Sequence, residues 1–96
     1  MRFIVFRTRE EQVVGLQHMK PIPDETIFIF PGIPPGVEFH SRNVQEPFDI
    51  AFLDSKYSVL KKATITPQKE TIVSPEGTAL VIETREGLLA RHGVHA

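Results

Sequence analysis

Apolar and polar positions along this chain sort into short blocks divided by proline and glycine. Phe3-Ile4-Val5-Phe6 is apolar throughout and predicts a first strand. Thr8-Arg9-Glu10-Glu11 then has the spacing of a capping box, in which a threonine hydroxyl and a glutamate carboxylate satisfy each other's backbone amides. A short helix over 9–17 is expected, with Val13, Leu16 and either Gln12 or Val14 facing inward and Gly15 weakening it. Pro21 and Pro23 end the helical tendency. Thr26-Ile27-Phe28-Ile29-Phe30 and Phe48-Asp49-Ile50-Ala51-Phe52-Leu53 lack a polar face, as strands buried on both sides do. Between them, residues 37–42 alternate, with Val37, Phe39 and Ser41 facing one way and Glu38, His40 and Arg42 the other.

Asp54-Ser55-Lys56-Tyr57 has the composition of a hairpin turn, and 58–66 is expected to return antiparallel. Thr71-Ile72-Val73 and residues 78–84 read as further strands around a Pro75-Glu76-Gly77 turn. Residues 86–92 predict one or two helical turns closed by Gly93. Six or seven short strands with two small helices predict one all-β domain over 1–96, a jelly-roll-like β-sandwich or barrel. No predicted helix is long enough for the crossover that a parallel α/β sheet requires. Phe28, Phe30, Phe39, Ile50, Phe52 and Leu80 are the expected core.

Composition narrows the function classes. With 11 basic and 12 acidic residues interspersed, the chain has no basic excess for nucleic acid, whose affinity comes from phosphate neutralisation. It contains no cysteine, which excludes disulfides, thiolate metal sites and cysteine nucleophiles. Its longest apolar run near the start is four residues, so neither membrane association nor export is expected, and a cytoplasmic location is. The loop Pro31-Gly32-Ile33-Pro34-Pro35-Gly36 lacks the following helix and the amides of a phosphate cradle, and reads as a stiff surface loop.

The candidate chemistry gathers where a polar segment enters the strand at 48–53. His40, Arg42, Asn43 and Asp49 form the candidate ligand-binding set. Arg42 offers a planar five-donor fork to a carboxylate or phosphate, Asn43 donates and accepts, and His40 titrates near neutrality. A structural explanation competes and ranks first: a buried Asp49 needs donors, and Asn43 suits a left-handed turn. Other constellations are weaker. Of the four histidines only His92 and His95 have suggestive spacing, and no metal site is expected. Asp49 and Asp54 are an odd number of residues apart and point to opposite faces of a regular strand. Glu76 and Glu83 are a nominal carboxylate pair, and Ser41, Ser55, Ser58 and Ser74 lack a nucleophile-elbow context.

Four stretches occur in the order of a known family: Thr8-Arg9-Glu10-Glu11 with Gly15-Leu16; Ile27-Phe28-Ile29-Phe30-Pro31; Phe39 with Asn43 and the run Pro47 to Asp54; and Leu80-Val81-Ile82-Glu83 with Gly87 and Ala90-Arg91-His92-Gly93-Val94. Together they resemble the domain of unknown function 192 family, an uncharacterised ancient conserved region of bacteria and archaea. The resemblance covers nearly the whole chain and implies a compact jelly-roll sandwich, with no activity attached. Where the family has an aromatic-methionine-lysine triplet before the asparagine, this chain has His40-Ser41-Arg42, which keeps the cation and loses the aromatic. Family members commonly continue past the Gly93-Val94 position into a further strand, so a different last sheet edge is expected here.

The functional expectation is a non-catalytic binding or accessory module that holds a small polar or anionic ligand, or a protein partner, with no cofactor. The alternative is a small hydrolase or lyase using His40 and Asp49. It ranks second because no nucleophile, base and orienting group can be assembled from the sequence.

Overall fold

The computed structural model describes residues 1–67 and 71–94. Its elements are β1 (Arg2–Val5), α1 (Arg9–Val14), β2 (Thr26–Pro31), β3 (Glu38–His40), β4 (Phe48–Leu53), β5 (Val59–Ile65), β6 (Thr71–Val73), β7 (Leu80–Arg85) and α2 (Leu88–Arg91). Five strands form one sheet in the order β1-β2-β7-β4-β5, while β3 and β6 form a separate antiparallel pair. The expected predominance of β-structure with two short helices is observed. Neither sheet closes on itself among the described residues.

One connection corrects the sequence reading. β1 and β2 pair in parallel, with Arg2 opposite Thr26 and Val5 opposite Ile29. The crossover contains only the six-residue α1, and ordered loop on either side supplies the remaining reach. All other pairs are antiparallel.

α1 begins as its spacing predicts. The Thr8 hydroxyl accepts from the Glu11 amide at 3.1 Å, and the Glu11 carboxylate accepts from the Thr8 amide at 3.0 Å and the Arg7 amide at 2.9 Å. These bonds, the Thr8 amide foremost, hold the Glu11 carboxyl below its ordinary value. Thr8→Ala is expected to lower stability by ~1 kcal/mol in urea denaturation; an unchanged midpoint would show that the cap is immaterial. The helix stops at Gly15, earlier than expected, with φ +50° at that residue. A Cβ there would lie 3.6 Å from the Phe30 ring, so glycine suits both the backbone turn and the close approach. The predicted inward stripe is only partly right: Leu16 is buried, but Val13 is 60% exposed. Gln12 faces inward instead, donating to the Phe6 carbonyl at 2.9 Å and the Pro31 carbonyl at 3.3 Å.

The main core lies on one face of the five-stranded sheet. Phe28, Phe30, Phe48, Ile50, Phe52, Ile65 and Val81 project there and are covered by Phe6, Leu16, Ile22 and Val44 from the connecting segments. Phe39 of β3 joins the layers, its ring edge-on to Phe30 and to Phe52 with centroids 5.8 Å away in both cases. Phe39 is only half-buried, and Leu80 belongs to the opposite face with Ala51, Leu53, Ile82 and Leu89 of α2. The hairpin is as predicted: Asp54 accepts from the Lys56 and Ser58 amides at 2.9 Å each.

Candidate functional site

β4 and β7 lie side by side with Ile50 opposite Glu83 and Asp49 opposite Thr84, so alternate residues fall on opposite faces of the sheet. Asp49 is on the outer face, away from the main core. It is 2% exposed and its two oxygens are occupied. Oδ1 accepts from the Thr64 hydroxyl at 2.7 Å, and Oδ2 accepts from the Gly87 amide at 2.9 Å. Gly87, at φ +91°, turns the chain into α2 in a conformation that glycine adopts without strain. Asp49 thus ties β5 and the start of α2 to the central sheet. The geometry separates it from His40, and the expected grouping of Asp49 with His40, Arg42 and Asn43 is not assembled.

His40 is half-buried at the end of β3, and Asn43 is exposed in the turn that follows. The His40 ring accepts the Arg42 amide at Nδ1, 3.2 Å away, which leaves Nε2 as the proton-bearing nitrogen of the neutral ring. Asn43 adopts the left-handed conformation expected of it, at φ +61°. Its carbonyl accepts from the His18 amide at 2.9 Å, and its side-chain amide donates to Gln17 Oε1 at 3.2 Å. These bonds lash the segment after α1 to the turn after β3. Arg42 is exposed at the outside of that turn.

Behind this junction lies an open cavity of about 370 Å³, within the range of small-molecule sites. One wall is the end of α1 and the segment after it, from Val13 to Gln17; the other is Val37 to His40, with Ile33 and Pro34 of the proline loop beside it. The loop is held by Ser74, whose hydroxyl donates to the Pro34 carbonyl at 2.8 Å and accepts from the Val37 amide at 2.8 Å. Phe30, Phe39, Phe48 and Val44 make the interior apolar, while Arg9, Glu38 and His40 supply ionisable groups.

Glu83 also lines this cavity, although the sequence offered it only as half of a nominal carboxylate pair with Glu76. It stands on the central strand β7, opposite Phe28 of β2 and Ile50 of β4, neither of which offers a side-chain donor. It is 5% exposed. Among the described residues its carboxyl has no hydrogen-bond or ion-pair partner. Burial pushes it up to about 8, which makes it a neutral carboxylic acid at neutral pH. The signal in the sequence was an acid on the same strand face as Val81, within a nearly continuous apolar run.

The described histidines form no metal-ligand group. His92 lies 3.4 Å from Glu25 at the far end of α2, and His95 is outside the described residues. Among the described residues no group of three or more potential ligands is placed to hold a metal ion. No helix among them is long and apolar enough to cross a membrane.

The model of the DUF192 family, described as "Uncharacterized ACR", matches residues 1–96. The chain belongs to this family. No curated protein matches it. A crystal structure of a protein of unknown function from Novosphingobium aromaticivorans DSM 12444 is 32% identical and superimposes with a TM-score of 0.86, over 99% of this chain and 70% of that one. A Sinorhizobium meliloti 1021 protein described as a candidate transcription regulator is 22% identical, with a TM-score of 0.82 over 97% of this chain and 73% of that one. The second likeness is one of fold. This DUF192 chain therefore shares its architecture with solved relatives.

Proposed function

We propose that this DUF192 domain is a non-catalytic module that binds a small molecule in the cavity between α1 and β3. The observation that carries this reading is the unpartnered Glu83 carboxyl inside an open, mostly apolar space. A domain of this size gains nothing from a carboxyl that reaches solvent only through a cavity and has no protein partner among the described residues, since an apolar residue there would avoid the desolvation cost. A ligand that enters the cavity gives the group a partner. His40, fixed by its bond from the Arg42 amide, presents a second polar group to the same space. Asn43 acts as the brace that sets the width between the two walls. In this reading the ligand lies deeper than the expected set of His40, Arg42, Asn43 and Asp49, of which His40 lines the cavity. The hydrolase alternative loses its proposed pair, because Asp49 is committed to Thr64 and Gly87 across the sheet.

Val13 provides a test that spares the fold. It lines the cavity yet is largely exposed, so Val13→Trp should cover the entrance and change stability by no more than ~0.5 kcal/mol. Fragments that bind the wild type in saturation-transfer NMR should lose their signal with this variant. Fragments that bind both proteins equally would place binding elsewhere and remove the reading.

A further inference from the structure

We propose that the ligand is a small organic cation, an amine whose ammonium group sits on Glu83 and whose apolar body lies among Phe30, Phe39 and Phe48. This rests on the cavity reading above and names the class of molecule it takes. No described lysine or arginine is paired with Glu83, and its strand neighbours Phe28 and Ile50 are apolar. Since no described residue supplies a paired cation, a ligand can bring the one that stabilises an ionised carboxylate. An ammonium group supplies both the charge and the donors, and a charge-assisted bond is roughly twice as strong as a neutral one.

The walls select in the same direction. Three phenylalanine rings line the cavity, and aromatic rings attract cations through their quadrupoles. An anionic ligand meets the opposite situation, since it would either repel the carboxylate or hold it neutral, and no described cation is paired with Glu83. At the mouth, Arg9 and Glu38 carry opposite charges and offset one another, leaving the floor to decide the sign. Those two and His40 are the other ionisable groups lining the cavity; β2 and β4 contribute none facing Glu83.

The pairing has a proton signature. Glu83 is neutral when the cavity is empty below about 8 and ionised when it faces an ammonium group, so its proton leaves for solvent as the amine binds. Benzylamine, benzyl alcohol and benzoate are suitable probes, since they share a ring and differ in the charge of one substituent. Calorimetric titration in mildly acidic buffers of different ionisation enthalpy should show benzylamine binding with release of about one proton per molecule. Benzyl alcohol should bind about 10- to 100-fold more weakly, and benzoate more weakly still. Glu83→Gln should remove the preference for the amine and the proton release, and Val13→Trp should abolish binding of all three.

The outcomes separate the two proposals. If benzyl alcohol or benzoate binds as well as benzylamine and Val13→Trp abolishes that binding, the amine assignment fails and the cavity reading stands. If benzylamine binds Val13→Trp as it binds the wild type, both fail. If none of the probes binds, or benzylamine binds without proton release, the amine assignment is overturned. The release measurement uses the wild-type protein, so it decides the matter even if Glu83→Gln does not fold.

Discussion

Replacing Phe52 with alanine should remove ~3–5 kcal/mol of stability, the range seen for truncating a buried aromatic. Phe52 is fully buried on β4, between β7 and β5, with Val81 opposite on one side and Lys61 on the other. Its ring meets the edge of Phe39 from the second layer, so the truncation empties space at the seam where the two sheets join. The sheet cannot readily collapse to fill it, because β7 and β5 hold the β4 backbone from both sides, with one shift of register after Phe52 on the β5 side. Small domains are stable by only about 5–15 kcal/mol, so the loss is a large share of the total. Urea denaturation of Phe52→Ala and of Phe3→Ala makes the comparison. Phe3 is mostly exposed on the edge strand β1 and should change stability by ~0.5 kcal/mol or less. Equal effects of the two substitutions would show that the seam is not where the core is anchored.

Local features of this fold were legible in the sequence, and features that depend on distant pairing were not. The capping box, the Asp54 turn and the strands around Phe28, Phe52 and Val81 each announce themselves within a few residues. The parallel pairing of β1 with β2 does not, since a short helix argues against a crossover and only the intervening loop makes one possible. Val13 was expected inside because helical periodicity assumes a full helix. The helix ends at Gly15, and the next segment docks through Leu16 instead.

The candidate site divides along the same line. His40 and Asn43 were legible, because a polar segment that runs into a buried strand has to leave the core there. Asp49 was assigned to the wrong neighbourhood by an ambiguity of parity. In a strand with apolar residues on both faces, nothing in the sequence says which face the second layer covers. The same ambiguity hid Glu83. Leu80 and Ile82 are as apolar as Val81, so either face of β7 could have been the core. The layer of β3 and β6, with α1 beside it, makes the Val81–Glu83 face the inner one.

That placement predicts how stability depends on pH. In the unfolded chain Glu83 titrates at its ordinary 4.5, and in the fold at about 8. Between these values the unfolded state is ionised at this position and the folded state is not, so folding takes up a proton and stability falls as pH rises. The contribution is fully present below 4.5 and is lost by about 8. At ~1.4 kcal/mol per pH unit, the loss across that window is on the order of 5 kcal/mol. Glu83→Gln has the same shape and no charge to gain, so its stability should lack this slope. Arg9, Glu38 and His40 line the cavity in both proteins, and subtracting one profile from the other isolates Glu83. Urea denaturation of the pair from mildly acidic to mildly alkaline buffer measures the difference, and parallel profiles would mean that the carboxyl is solvated or paired after all. A bound amine should flatten the wild-type slope, because the ammonium supplies the partner that the fold withholds and lets Glu83 stay ionised inside it.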